Sequence, residues 1–154
     1  MTFRLHPHEW VHHIPALTLH RPWPALILRA GKNVENRTWR TNYRGPLLLH
    51  AGRQWDPHAI TFASHIPSAD NITAAHWVSE YDTDHPTGIV GIVRLYGDDP
   101  ASPSLWAAPG QWHWMLEDPY EFDTPIPCAG KQQLWMPPRE LVLTLKDALR
   151  AVAP

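Results

Sequence analysis

Proline constrains this chain more than any other residue. Seventeen prolines are spread through its 154 residues. Inside a helix, proline removes a backbone hydrogen bond and clashes with the preceding turn. Long helices are therefore disfavoured, and short strands joined by many turns are favoured. ALTLH (16–20) alternates as a strand does, PLLLHA (46–51) suits a buried strand, and GIVGIVRLYG (88–97) is the strongest strand signal, apolar and β-branched. VENRTW (34–39), QWHWMLED (111–118) and QQLWM (132–136) complete the set. RPWPALILRAG (21–31) reads as a short helix with Pro22 in its first turn and Gly31 just past its end. Asp56-Pro57 starts a second helix running to about His65, and a short helix is expected near 72–80. DDPASPS (98–104) reads as a loop, and Pro119 to Pro127 as a turn that sends the chain back.

This pattern predicts an α+β domain: a small β-barrel of about five or six strands with surrounding short helices. Residues 1–15 form an N-terminal arm and 16–136 the barrel. Residues 137–154 form an amphipathic helix packed on it, with Leu141, Leu145, Ala148, Leu149 and Val152 along one stripe. At 44% hydrophobic and 18% charged, the chain is too apolar to be disordered and long enough for one core. Most of its nine Trp are expected in that core. The single cysteine, Cys128, forbids an intrachain disulfide and suggests a reducing compartment. There is no basic-then-apolar leader and no apolar run near ~18 residues, so the expected setting is cytoplasmic, without a membrane partner. A monomer is expected.

Net charge is −2, but unevenly placed. Residues 1–56 hold eight Lys or Arg against three acids, a surplus of five, while the remainder holds five against twelve. A locally basic third on an acidic body suits a small anion or a short nucleic-acid segment, not wrapping of long duplex. The four histidines of the arm (His6, His8, His12, His13) have no Cys or carboxylate at ligand spacing, so no metal is expected.

The densest charge lies in GKNVENRTW (31–39). On a strand, Glu35, Arg37 and Trp39 share one face, and the first two are about 7 Å apart at Cα. Lys32, in the corner after Gly31, reaches toward Glu35. The set is either a partly desolvated Lys–Glu–Arg group with functional potential or a surface ion-pair cluster. Arg21 and Trp23 nearby offer an anion contact and a stacking face. Trp112 and Trp114 share a strand face, as a base platform or as a core wall. His50 ends an apolar strand and is either a buried, hydrogen-bonded histidine or a member of the site. No GxSxG, HExxH, Walker loop, Rossmann fingerprint or cysteine pair occurs.

The ordered segments ALTLHRPWPALILRAGKNVENRTWRTNYRGPLLLHA, GIVGIVRLYG and WHWMLEDPYEFDTPIPCAGKQQLW resemble the ASCH (activating signal cointegrator homology) domain of the PUA-like superfamily. The likeness runs from about Ala16 to Trp135, and Lys32, Glu35 and Arg37 meet the K-x-x-E-x-R part of its G-x-K-x-x-E-x-R motif, with Gly31 directly before the lysine instead of two residues ahead of it. It implies a PUA-like barrel whose cleft, between the first helix, the motif loop and neighbouring strands, takes RNA, another nucleic acid or a nucleoside-like ligand without a cofactor. The residues expected to meet it are Arg21, Trp23, Lys32, Glu35, Arg37, Trp39, Arg40, Tyr43, Arg44, His50, Trp112, Trp114 and Lys131. Some bacterial members resemble N4-acetylcytidine amidohydrolases with a K-x-x-T-x-R motif. Here Lys32 matches the lysine, while Glu35 stands where those carry threonine. Others resemble ribonucleases, for which Lys32 and Glu35 are the candidate acid/base couple. Glu117 is a candidate third acid. A hydrolase on RNA or a modified nucleoside is thus the alternative to binding, and a protein-interaction domain docking through the tail helix is the second alternative.

Overall fold

A computed structural model describes residues 5, 13–67, 73–79 and 86–150. Six strands form one mixed sheet: β1 (Ala16–Arg21), β2 (Val34–Arg37), β3 (Gly45–Trp55), β4 (Gly88–Asp99), β5 (Trp112–Ile126) and β6 (Leu134–Trp135). Their spatial order is β2-β5-β4-β3-β1-β6. β1 runs parallel to β3, with Thr18 opposite His50, and the other pairings are antiparallel. Helices α1 (Trp23–Arg29), α2 (His58–Ala63), α3 (His76–Ser79) and α4 (Val142–Arg150) surround the sheet. The architecture is α+β. The arm's His6, His8 and His12, and Val152 of the tail, lie outside the described residues.

The expected closed barrel is corrected to an open sheet, since no ladder joins β2 to β6 among the described residues. β2 is four residues long and β6 two, so the edge strands offer too few backbone groups to pair. The sheet nevertheless curls. The Arg37 side chain on edge strand β2 reaches the carbonyl of Thr18 on β1 at 3.4 Å. A side chain, not a ladder, spans the gap.

A second correction concerns the expected turn from Pro119 to Pro127, which is strand. Arg94 pairs with Glu117 and Ile92 with Tyr120, so β5 carries an extra residue between these points. Asp118 absorbs it in a left-handed conformation (φ 50°) that Asp tolerates better than most residues. β2 covers β5 only from Trp112 to Met115. Beyond that, Pro119 lies on an open edge, where a missing N–H costs no ladder bond. Likewise the 98–104 segment begins in strand, because β4 continues to Asp99, and VENRTW is strand only to Arg37.

Alternation sorts the core. Leu17, Leu19, Leu47, Leu49, Val93, Leu95 and Trp114 pack on the inner side of the curl. Ala16, Leu48, Ile89, Ile92 and Phe122 pack on the other side against Leu145 and Leu149 of α4. The apolar stripe of α4 is thus spent on its own sheet. The exposed Leu143 lies off that stripe. No helix is long and apolar enough to cross a membrane among the described residues.

At the end of β4, Asp98 accepts from Arg44 at 2.7 Å and from the Thr41 N–H at 3.3 Å, with Arg40 at 3.4 Å. Burial pushes its carboxyl up, but the Arg44 hydrogen bond and the charges of Arg40 and Arg44 outweigh that and hold it below the ordinary value. A depressed carboxylate stabilises the fold above its unfolded pKa, and that contribution is lost as pH falls through the lower folded value. Urea unfolding at successive pH values is therefore expected to show the gap between wild type and Asp98→Asn narrowing below about pH 4. A constant gap would show that the Asp98 charge contributes nothing.

Candidate nucleic-acid interface

Helix α1 ends where Gly31 adopts a left-handed conformation (φ 75°), and the N–H groups of Ala30 and Lys32 both reach the Leu26 carbonyl at 3.1 Å. This Gly-terminated helix end turns the chain sharply back. It sets Lys32 at the mouth of the curl, just before β2. There Glu35 pairs with Trp114 and Arg37 with Trp112 across the β2–β5 ladder. Paired residues share a face, so Glu35 and Arg37 point toward the concave, aromatic interior.

That placement explains the burial. Lys32 is 3% exposed and Glu35 8%. The Lys32 ammonium donates to Glu35 Oε2 at 2.8 Å and to the Val34 carbonyl. It also lies 5.2 Å from the centre of the Trp23 ring, a cation–π contact. An ammonium has three N–H donors, so one remains after Glu35 and Val34 are served. Arg37 Nε stands 3.4 Å from Glu35 Oε1, which closes the three-charge set.

Around it opens a cleft of about 240 Å³ lined by Trp23, Lys32, Glu35, Asp56, Phe62 and Gln111, together with Asn36 and Ala108. Asp56 works in two directions. One carboxylate oxygen accepts from the His58 N–H at the start of α2 at 2.9 Å, and the other accepts from the Trp23 indole at 2.8 Å. Phe62 meets the edge of Trp23 at 6.1 Å between ring centres. The Asn36 amide donates to the Trp106 carbonyl and accepts from the Ala108 N–H, both at 2.9 Å, fixing the 106–108 wall.

The structure divides the residues singled out in the sequence. Trp23, Lys32, Glu35 and Arg37 come together. Arg21 lies at the end of β1 and donates to the Gly52 and Arg53 carbonyls at 2.9 and 2.7 Å, bridging the strands where their ladder breaks. Arg40 and Arg44 converge on Asp98, with Arg40 stacked 4.6 Å from the Trp112 ring. Tyr43 donates its hydroxyl to the Pro46 carbonyl. Trp114 is fully enclosed: its indole N–H meets the Trp39 carbonyl at 3.1 Å, and the Trp39 ring meets it edge-on at 4.6 Å. Its ring has no open face for a base, and Trp39 is its packing partner. Glu117 pairs with Arg94 across β4–β5 and does not line the cleft. His50 and Lys131 line a separate, larger cavity with no lining residue in common. Burial pushes the Cys128 thiol up and so disfavours the thiolate, outweighing the Ile89 backbone hydrogen bond that lowers it.

Asp56, Phe62 and Gln111 are cleft residues that sequence reasoning missed. Asp56 was legible only as a helix start, and nothing in the sequence ties its second oxygen to Trp23.

The model of the ASCH domain matches residues 17–109. Activating signal cointegrator 1 of Mus musculus is 25% identical over 128 residues, covering 77% of this chain and 21% of the mouse protein. The Homo sapiens protein of the same name is 32% identical over 81 residues, covering 51% of this chain and 13% of the human protein. The chain thus spans about a fifth or less of the length of these relatives.

Proposed function

The chain belongs to the ASCH domain family, and from that premise we propose that the Lys32–Glu35–Arg37 cleft binds nucleic acid, RNA or another single strand, by admitting one nucleobase. The observation that carries this reading is the buried Lys32 beside Trp23. It joins an unspent N–H donor to an indole face at the mouth of a small cleft. A base offers ring acceptors to the lysine and a π-face to the indole. Its exocyclic amine suits Glu35 Oε1, which among the described residues faces only the longer Arg37 contact. The volume of about 240 Å³ lies under the ~300–1,000 Å³ of drug-sized sites, which favours a single heterocycle over a duplex. Arg21, Arg40 and Arg44 are tied to carbonyls or to Asp98, so few cations are left for phosphates.

Fluorescence titration with a labelled short single-stranded RNA tests this. Stacking is worth ~1–3 kcal/mol per base, so Trp23→Ala should weaken binding by about 10- to 100-fold. Trp23→Phe keeps an aromatic face and should weaken it less. The salt dependence should be shallow, about −0.7 in log K per unit of log salt for each phosphate met. Unchanged affinity in Trp23→Ala would remove the cleft from consideration.

One observation favours a second reading, hydrolysis of RNA or a modified nucleoside. Lys32 and Glu35 are 2.8 Å apart and largely buried, a distance at which a proton can pass between partners. Turnover of single-stranded RNA or N4-acetylcytidine that disappears in Glu35→Gln would establish it.

A further inference from the structure

A second cavity lies over β1 and β3, where Thr18 stands opposite His50 and the 127–132 segment between β5 and β6 folds across them. Its volume is about 590 Å³, within the ~300–1,000 Å³ range of small-molecule sites. We infer that this cavity is a binding site for a phosphate ester of about mononucleotide size.

Charge is the first argument. Arg53 and Lys131 line the cavity together with His20 and His50, and no Asp or Glu lines it among the described residues. Neither Arg53 nor Lys131 has a salt-bridge partner among those residues. A concave, single-sign lining in a protein of net charge −2 focuses potential on an anion. The Gln54 and Gln132 amides add donors suited to phosphate oxygens. The second argument is the wall between them. Ala51, Pro127 and Ala129 give the cavity an apolar part, which fits the organic body of an ester better than bare phosphate.

The third argument is rigidity. His50 is 3% exposed, and its Nε2 lies 2.8 Å from the Cys128 carbonyl, which requires the proton on Nε2. Its Nδ1 is buried without a hydrogen-bond partner among the described residues. Gly130 closes over that edge so tightly that a Cβ would stand 2.8 Å from Nδ1 and 2.6 Å from Thr18 Oγ1. Only glycine lets the segment sit this close. The His50 hydrogen bond then holds the 127–132 wall at a set distance from the strands, so the ligand need not order it.

Calorimetric titration tests the assignment with inorganic phosphate, ribose 5-phosphate, adenosine 5′-monophosphate and unphosphorylated adenosine. Both esters should bind at least ~10-fold more tightly than adenosine. Comparable affinities for the two identify a sugar phosphate, and tighter binding of the nucleotide identifies a nucleotide. The exposed double variant Arg53→Gln/Lys131→Gln should lose ester binding by at least ~10-fold, a difference of about 1.4 kcal/mol, while keeping single-strand binding at the Trp23 cleft. Ala129→Trp fills the cavity without changing its charge and should also lose the esters. The inference is overturned if neither ester binds at about 10 mM, or if the double variant binds them as well as the unaltered protein. Neither result touches the Lys32 cleft, whose own test reads Trp23.

Discussion

Replacing Lys32 by Met should destabilise the fold by about 3–5 kcal/mol, the usual cost of breaking a buried ion pair by removing one partner. Glu35, only 8% exposed, would keep its charge at the mouth of an aromatic cavity with one hydrogen-bond partner gone. The Val34 carbonyl loses a donor and Trp23 loses its cation. Arg37, 3.4 Å from the other carboxylate oxygen, offsets part of the loss and places the result toward the lower end. The double variant Lys32→Met/Glu35→Leu should recover most of it, because no charge is left stranded. Urea unfolding of the two proteins decides the matter. If Lys32→Met alone unfolds at the wild-type midpoint, the pair is effectively solvated. The corollary for function is practical: loss of ligand binding in a Lys32 variant means little until its folding is measured.

Trp114→Ala should cost about 3–5 kcal/mol, as expected for removal of a fully buried aromatic. Trp114 has no exposed surface, packs edge-on against Trp39 and satisfies its indole N–H at the Trp39 carbonyl. Trp112, two residues away on the same face, is half-buried beneath the exposed Arg40 and should cost about 1 kcal/mol when truncated. Chemical denaturation of the two variants side by side measures the difference. Equal costs would contradict the division of the two tryptophans into one enclosed and one half-buried residue.

The WHW segment illustrates what sequence could and could not resolve. Period-two alternation put both tryptophans on one face. Whether that face looked inward depended on the curl of the sheet, and the curl depends on β2 being held beside β5. The basic cluster behaved similarly. Arg37, Arg40 and Arg44 lie within eight positions, yet Arg37 joins Glu35 while the other two join Asp98, more than fifty residues on. No local pattern announces such a partner. The run from Pro119 misled because its three prolines, Pro119, Pro125 and Pro127, normally end a strand. An edge position and one left-handed Asp118 let the strand continue.

By itself the sequence determined the short elements, the helix stop at Gly31, the shared face of Glu35 and Arg37, and the family motif. All of these follow from steric and periodic rules that act over a few residues. Tertiary structure alone decided that the Lys32 group faces a buried aromatic interior, that Asp56 and Phe62 complete its cleft, and that His50 and Lys131 belong to another cavity. Each of these rests on strand order and on the parallel β1–β3 pairing, contacts between residues far apart in the chain. Such contacts are selected by the burial of the whole core rather than by any segment's own preference.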